Sequence, residues 1–294
     1  MTRSDSSKII LGTVQFGLDY GINNSNGKVS NNDSQEILKY AYENNIRTLD
    51  TAESYGNAHE VIGLFHKNNP QKLFKVITKL PKDINNNFNE KVNKYLNELN
   101  INQIEVLMFH SFKSYFENID NISLLNKLKF NKKLKKIGVS VYTNHEIEKI
   151  IENDHIDVIQ VPFNLLDNYN FRAKVLIKAK NKGKIIHSRS SLLQGLFFKD
   201  LDDSNHVVKK LRKELTEISK IASKYNISIS KLSINYCLEQ EFIDCTLIGV
   251  DSTSQLIDNL NSLNYRLNEE ILNDINSLKV NNVNFLNPSL WIQK

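Results

Sequence analysis

Eight short runs rich in apolar and β-branched residues recur along the chain, with helical patterns between them. The runs cover residues 8–13, 46–52, 73–79, 104–110, 135–141, 156–163, 184–190 and 245–250. Each run is almost entirely apolar and does not alternate, which is typical of strands buried on both faces. Eight such strands alternating with helices predict an α/β fold, a parallel sheet closed into a TIM (β/α)8 barrel.

The segments between the runs carry apolar residues at helical spacing. We predict helices at 34–45, 89–100, 144–153 and 251–263, with Asn144 as an N-cap. Two further helical segments, 205–224 and 228–240, lie between strands seven and eight, where one would suffice, and the chain continues past the eighth unit. We therefore expect extra helices there and at the C-terminus. No linker rich in Pro, Gly or Ser interrupts the chain, so 1–294 is predicted to be a single domain.

Charge and cysteine content exclude several classes of protein. The net charge of +5, from 38 basic and 33 acidic residues, is too small to indicate a nucleic-acid-binding protein. The N-terminus lacks an apolar signal core, and no apolar run is long enough to span a membrane. Cys237 and Cys245 are the only cysteines, so neither a disulfide framework nor a zinc pattern is expected. These features predict a cytoplasmic protein without a metal, and they leave the oligomeric state open.

Four polar residues lie at or just beyond the ends of successive predicted strands. Asp50, Lys79 and His110 end strands two, three and four, and Tyr55 lies in the loop after strand two. Reactive residues of such barrels lie at the carboxyl ends of the strands. Because neighbouring strands are about 4.8 Å apart, these four side chains are expected to meet at one place.

These residue types suit the reduction of a carbonyl, which needs a hydride on carbon and a proton on oxygen. A tyrosine phenol has a pKa of about 10, and a nearby lysine ammonium is expected to lower it. Asp50 would hold Lys79, and His110 would bind the substrate oxygen. A cofactor must supply the hydride. The sequence thus predicts Tyr55 as general acid, with Lys79, Asp50 and His110 as its partners.

Each residue taken alone also has a structural interpretation. Asp50 could end a strand in an ordinary turn, and Tyr55 could anchor a loop. Lys79 could extend its amine to solvent from a strand end, and His110 could be a hydrogen-bonded core histidine. The occurrence of all four, in order and at matching strand ends, favours the catalytic interpretation.

The chain resembles the aldo/keto reductases. The segments that carry the resemblance are LGTVQFG, LDTAESYG, VITKL, LMFH, KKIGVS, IQVPFN, SSLLQG and TLIGVDSTSQLIDN, and they cover nearly the whole sequence. The resemblance implies a TIM barrel, a nicotinamide cofactor, no metal, no flavin and a small-molecule carbonyl substrate. It also implies the catalytic roles given above for Tyr55, Lys79, Asp50 and His110.

The resemblance further implies a set of cofactor contacts. They are Gly12, Thr13 and Asp50 near the nicotinamide, Ser140 and Gln160 at its carboxamide, Gln194 and Gly195 at the pyrophosphate, and Gly249, Ser252, Gln255 and Asn259 at the adenosine half. Asn164 lies in the same motif as Gln160 and is expected to support the site. For Ser252, a plain helix cap remains an alternative.

The chain departs from the family pattern at three places. Val141 replaces an Asn that contacts the carboxamide, and Arg189 stands where the family often has a nicotinamide-stacking tyrosine; a flat guanidinium can also stack on a ring. Gly249 and Gln255 align with the Lys and Arg that bind the 2′-phosphate in many members, and Asp251 adds a negative charge. The habit of the family favours NADP(H), while these replacements leave NAD(H) open.

Aromatic residues just beyond the strand ends are candidates for the mouth of the barrel. They are Phe16, Tyr20, Phe112, Tyr142 and Phe163, with Trp291 of the tail closing over the site; for Phe163, core packing is the alternative. LGTVQFGLDYG and SRSSLLQG resemble bacterial family members linked to surface-carbohydrate synthesis, so the predicted substrate is a sugar or sugar-derived carbonyl.

Two other functions remain open from the sequence. A nicotinamide-binding regulatory or interaction subunit with little turnover would share the fold and the cofactor site. A different barrel enzyme, such as a lyase, would need metal ligands or a Schiff-base lysine, and the sequence contains no cluster of carboxylates or histidines to bind a metal.

Overall fold

Eight parallel strands close into a barrel in sequence order in the computed structural model, which describes residues 6–81, 84 and 87–291. The strands are Ile9–Gly12 (β1), Thr48–Asp50 (β2), Lys75–Leu80 (β3), Ile104–Phe109 (β4), Leu134–Ser140 (β5), Val158–Pro162 (β6), Ile185–Arg189 (β7) and Cys245–Gly249 (β8). The barrel closes where β1 pairs with β8, from Ile9 opposite Thr246 to Gly12 opposite Gly249. The predicted (β/α)8 fold is confirmed.

Helices surround the barrel. The α-helices of the described residues are Asn31–Glu43 (α1), Ala58–Asn68 (α2), Phe88–Leu99 (α3), Phe112–Glu117 (α4), Ile122–Phe130 (α5), Asn144–Ile151 (α6), Tyr169–Asn181 (α7), His206–Lys210 (α8), Arg212–Lys224 (α9), Ile229–Leu238 (α10), Thr253–Ser262 (α11) and Glu269–Ser277 (α12). The extra helices α8 to α10 lie between β7 and β8, and α12 follows the eighth unit, as predicted. The segment predicted as one helix at 205–224 is divided at Leu211 into α8 and α9.

The predicted N-cap of α6 was wrong by one residue. Thr143, not Asn144, precedes the helix with extended backbone, and its hydroxyl accepts from the backbone N–H of Glu146. The Glu146 carboxylate in turn accepts from the backbone N–H of Thr143, which completes a capping box. The side chain of Asn144 bonds outside the helix instead, to the carbonyl of Phe171.

Two apolar layers hold the barrel together. A small cluster that includes Ile10, Ile77 and Met108 fills its interior, and a much larger layer lies between the outer faces of the strands and the helices. Gly138 makes room for Met108, because a Cβ at this glycine would lie 2.9 Å from the Met108 Cγ. Since side chains alternate along a strand, residues two positions beyond these interior residues also point inward, at the carboxyl end of the barrel.

None of the helices in the described residues combines the length and apolar character needed to cross a membrane.

Candidate active site

The residues predicted to form the site line one cavity of about 650 Å³ at the carboxyl ends of the strands, with a single exception. Those that line it are Gly12, Thr13, Asp50, Tyr55, Lys79, His110, Ser140, Gln160, Arg189, Gln194, Gly195, Gly249, Gln255 and Asn259. The exception is Ser252, whose hydroxyl caps α11 by accepting from the backbone N–H of Gln255. The helix-cap alternative therefore describes Ser252 in this structure, and the cofactor contact predicted for it stays a prediction.

Lys79 lies at the centre of the polar group. Its buried ammonium pairs with Asp50 Oδ1, donates to the carbonyl of Thr51 at 3.0 Å and lies 3.5 Å from the Tyr55 hydroxyl. The second Asp50 oxygen, Oδ2, accepts from Gln160 Nε2 at 2.8 Å. Gln160, predicted as a carboxamide contact, thus also orients Asp50, and the predicted residues Tyr55 and Gln160 both lie against the buried Asp50–Lys79 ion pair.

The environment of Tyr55 keeps its phenol protonated. Burial, followed by the negative charge of Asp50, raises the pKa of Tyr55, and the positive charge of Arg189 opposes this only in part. The expected net lowering of this pKa was wrong, because burial and the charge of Asp50 both raise it. Burial also lowers the pKa of Lys79, against the opposing effect of Asp50. The Tyr55 phenol is therefore neutral at neutral pH, so it retains the proton that a general acid donates, and Lys79 lies beside it.

His110 lies beside Tyr55 on the cavity wall. The two rings meet edge to face with centroids 5.8 Å apart, and His110 Nδ1 lies 3.4 Å from the Ser54 hydroxyl. Both rings line the cavity. A carbonyl oxygen placed between them could contact the phenol and the imidazole at once.

The loop that carries Tyr55 is fixed from behind by α3. The backbone N–H of Glu53 donates to the Lys79 carbonyl at 3.2 Å, and the Glu53 carboxylate accepts from the Tyr95 hydroxyl and from Lys91 at 3.1 Å. Burial acts against the charged form, but the Tyr95 and Lys91 bonds outweigh it and hold the pKa of Glu53 below its usual value. We call the bonds from Tyr95 and Lys91 to Glu53 the α3 clamp. It holds an ionised carboxylate in the loop that carries Tyr55.

Two glycines let the first two loops touch through their backbones. A Cβ at Gly17 would lie 1.7 Å from the carbonyl oxygen of Tyr55, and a Cβ at Gly56 would lie 2.3 Å from the carbonyl oxygen of Gly17. Gly56 also has a φ of +54°, a conformation that favours glycine. The close contact joins the loop after β1 to the turn that carries Tyr55.

Arg189 lies at the end of β7 and packs against the loop after β5. Its guanidinium lies 4.1 Å above the Tyr142 ring and donates to the carbonyl of Val141 at 3.0 Å. Arg172, paired with buried Asp167, donates to the carbonyl of Tyr142 at 2.6 Å and fixes that loop. One face of the Arg189 guanidinium is thus occupied by Tyr142, and its stacking on a nicotinamide stays a prediction.

The loops after β1 and β7 meet over the cavity. Gln194 Nε2 donates to the Tyr20 hydroxyl at 2.8 Å, and the backbone N–H of Ile22 donates to the Gln194 carbonyl at 3.2 Å. A Cβ at Gly195 would lie 2.6 Å from Cβ of Asn23. Asn164 lies outside the cavity and supports the second loop by donating to the Ser190 carbonyl at 3.2 Å. The contact between the loops covers part of the cavity.

The cavity fits a dinucleotide by its extent and by its unsatisfied polar atoms. It runs from Tyr55 and His110 to the beginning of α11, and its volume lies within the usual range of ligand pockets. Three buried polar atoms along it have no hydrogen-bond partner within the described structure, namely Arg189 Nε, Gln15 Oε1 and Asp251 Oδ1. Buried polar groups without partners are rare in folded proteins unless a ligand supplies the partner.

The predicted mouth of the barrel was only partly right. Tyr20 and Tyr142 line the cavity. The remaining predicted aromatics pack elsewhere: Phe16 is fully buried, Phe112 packs on Tyr115, Phe163 stacks on Tyr236, and Trp291 is buried with its Nε1 bonded to the Phe285 carbonyl. Core packing, the alternative for Phe163, is confirmed. Pro288 and Ser289 of the tail reach the cavity in place of Trp291.

Several lining residues were not predicted. They are Gln15, Asn23, Asn24, Ser230, Asp258, Pro288 and Ser289, among others. The rule that residues after a strand end line the mouth would have identified Asn23 and Asn24 in the loop after β1. Ser230 begins helix α10, and Pro288 lies in the C-terminal tail, so no local pattern indicates either.

The described residues contain no group of three or more His, Cys, Asp or Glu side chains placed to hold a metal ion.

Comparisons with known proteins connect this geometry to a family. The sequence profile of the Aldo/keto reductase family matches residues 8–280. The NADH-specific methylglyoxal reductase of Escherichia coli (strain K12) is 24% identical over 83% of this chain and 86% of its own length. The aldo-keto reductase YhdN of Bacillus subtilis (strain 168) is 24% identical over 96% of this chain and 92% of its own.

Solved structures share the fold. The holo form of an aldo-keto reductase from Bacillus halodurans superimposes with a TM-score of 0.74 at 18% identity, covering 92% of each chain. An aldo-keto reductase from a Medee basin deep-sea metagenome library gives a TM-score of 0.70 at 23% identity, covering 93% of this chain and 92% of its own. Together with the profile match over nearly all of the sequence, the conclusion is that the chain belongs to the aldo/keto reductase family.

Proposed function

We propose that the protein reduces an aldehyde or ketone to an alcohol with a hydride from NADH or NADPH, and that Tyr55 is the general acid. At the coarser level of family membership, the chain is an oxidoreductase that acts on carbonyl groups. One observation carries the finer proposal. The Tyr55 hydroxyl lies 3.5 Å from a buried lysine that is paired with Asp50, at the wall of the main cavity.

Each residue of the group has a role that follows from its contacts. A bound reduced nicotinamide supplies the hydride that the carbonyl carbon receives. The neutral Tyr55 phenol donates its proton to the carbonyl oxygen, and Lys79 stabilises the phenolate that remains. Asp50 and the Thr51 carbonyl hold Lys79 in place, while His110 orients the substrate oxygen. General acid catalysis of this kind typically contributes about 10²–10⁴ in rate.

The cavity walls support a small polar substrate. Asn23 and Ser289 offer polar side chains, and Tyr20 and Tyr142 offer aromatic faces. A sugar or sugar-derived carbonyl suits this mixture. The name of the Escherichia coli relative adds small 2-oxoaldehydes such as methylglyoxal to the candidates.

The same name describes that relative as NADH-specific. The common use of NADP(H) in the family therefore does not decide the cofactor of this chain. Cys237 and Cys245 form no disulfide, which supports a reducing, cytosolic setting.

The test is a screen of sugar aldehydes, ketones and methylglyoxal with NADH and with NADPH, following the loss of reduced-cofactor absorbance. We expect turnover with at least one carbonyl, and we expect Tyr55→Phe to abolish it while the affinity for the cofactor stays nearly unchanged. The phenol hydroxyl acts on the substrate oxygen and not on the cofactor, which is the reason for this separation.

Tyr265→Phe is the matched control, because Tyr265 lies outside the cavity and its hydroxyl has no part in the proposed chemistry. Full activity in Tyr55→Phe would show that the acid is wrongly assigned. Binding of a cofactor without turnover of any carbonyl would favour the regulatory subunit instead.

A further inference from the structure

We infer that Asp251 makes the nucleotide end of the cavity selective for NAD(H) over NADP(H), because its carboxylate accepts hydrogen bonds from a free ribose diol and repels a 2′-phosphate. The inference rests on the proposed function and deepens it by naming the cofactor.

The cavity itself fixes which end receives the adenosine. Hydride transfer requires the nicotinamide ring at the end where Tyr55, Lys79 and His110 lie. The cavity continues from there beneath the loop after β7 to Gly249, Asp251 and the first turn of α11. The adenosine ribose is at the opposite end of a dinucleotide from the nicotinamide, so it lies near Asp251.

The Asp251 carboxylate has an unused acceptor at this place. The backbone N–H of Asp251 donates to Gln255 Oε1 at 2.8 Å, and the Gln255 amide lies 3.5 Å from Asp251 Oδ2. The other oxygen, Oδ1, is buried and has no partner in good hydrogen-bond geometry within the described structure, although the Gln15 side chain lies close enough to oppose the rise that burial causes in the pKa of Asp251. A buried acceptor without a donor is costly. The two hydroxyls of a free ribose are donors, whereas a 2′-phosphate replaces one of them with acceptor oxygens.

The charges at the two ends of the cavity differ. Among the described residues that line it, the only cationic side chains are Lys79 and Arg189, and both belong to the reactive end. The nucleotide end is lined by Asp251 and Asp258 instead. A phosphate ester carries close to two negative charges at neutral pH, so at this end it would meet like charges and no lining cation.

Gln15 closes the same end of the cavity from the loop after β1. Its Oε1 is a second buried acceptor without a partner within the described structure. Gly249 leaves room for it, because a Cβ at Gly249 would lie 2.8 Å from Gln15 Nε2 and would displace the Gln15 side chain. Gln15 offers a neutral amide and no positive charge, so it supplies no cation to compensate a 2′-phosphate.

The test is calorimetric binding of NAD⁺ and NADP⁺ to the wild-type protein and to Asp251→Asn. We expect the wild type to bind NAD⁺ at least about tenfold more tightly than NADP⁺. In Asp251→Asn, the ratio of the NADP⁺ Kd to the NAD⁺ Kd should fall about tenfold, mainly because NADP⁺ binds more tightly. Asp120→Asn is the matched control, since Asp120 is exposed and lies outside the cavity.

Two measurements on the wild type keep the test decisive if the variant does not fold. ADP-ribose should bind more tightly than its 2′-phosphorylated form, and the preference should shrink as salt screens the repulsion. Equal or tighter binding of the phosphorylated ligands, or an unchanged ratio in a folded Asp251→Asn, would overturn the inference while leaving carbonyl reduction intact. Failure to bind either dinucleotide would overturn the proposed function as well.

Discussion

The buried ammonium of Lys79 is the residue on which the rest of the site depends. It has three oxygen partners, Asp50, Thr51 and Tyr55, and it is almost completely removed from solvent. The sequence predicted that Asp50 and Tyr55 meet Lys79, because Asp50 and Lys79 end neighbouring strands and Tyr55 follows β2; the Thr51 contact was not predicted. The protonation of Tyr55 could not be predicted in the same way, because its pKa depends on burial and on the opposing charges of Asp50 and Arg189.

Replacing Lys79 with methionine should cost both activity and stability. Asp50 would remain buried without a cation, and loss of one partner of a buried pair costs about 3–5 kcal/mol of unfolding free energy. Urea denaturation measures this loss. The double variant Asp50→Asn, Lys79→Met removes both charges, so we expect it to regain much of the stability and none of the activity. Equal stability of the single and double variants would mean that the pair contributes little in the folded state.

At the scale of elements, the strand ends were predictable and the contacts between separate loops were not. The apolar runs located β1 to β8, and the rule of carboxyl ends located Asp50, Lys79 and His110, while the family resemblance supplied most of the other predicted lining residues. The Arg189–Tyr142 pair was not predicted, since it joins residues from β7 and the loop after β5, and neither shows a local pattern. The α3 clamp on Glu53 was missed for the same reason.

Glu53→Gln tests the α3 clamp. The variant keeps the catalytic group but weakens the bonds from Tyr95 and Lys91, so we expect a loss of about 1–2 kcal/mol in unfolding free energy. We also expect a lower kcat with little change in KM. The folded pKa of Glu53 lies below its usual value, so its stabilisation is present above that usual value and is lost as the pH falls through the folded pKa.

Urea titrations over the acidic range measure this part of the stability, and it should be absent from the variant. Glu117→Gln is the control, since Glu117 makes only an exposed contact with Lys113. An acid dependence that is identical in wild type and Glu53→Gln would contradict the role assigned to the clamp.

The whole molecule carries a pH dependence from buried histidines on different elements. Burial lowers the pKa of His187 inside the barrel to about 4, and it also lowers the pKa of His59 and of His66 in α2. His59 Nε2 is hydrogen-bonded to the Thr78 hydroxyl, and His66 Nε2 accepts from the backbone N–H of Phe74. All three are therefore neutral in the folded protein at neutral pH.

Acid should destabilise the fold through these histidines before the carboxylates titrate. Their stabilisation is fully present above the unfolded pKa of about 6.5 and is lost as the pH falls towards the folded values, with about 3 kcal/mol from His187 alone. Unfolding free energies measured from about pH 7 to pH 4 should fall accordingly. His187→Gln should flatten the slope, whereas His145→Gln, which changes an exposed histidine, should leave it unchanged. A slope independent of His187 would refute the assignment.

The contact between Gly17 and Gly56 has a consequence for how the substrate range of such a protein can diverge. Any side chain at either glycine would push the first loop and the acid-bearing turn apart. We therefore expect the first loop to tolerate changes farther along, such as at 19–27, without displacement of the proton donor. Substitutions there can change which substrates bind while Tyr55 keeps its position relative to Lys79.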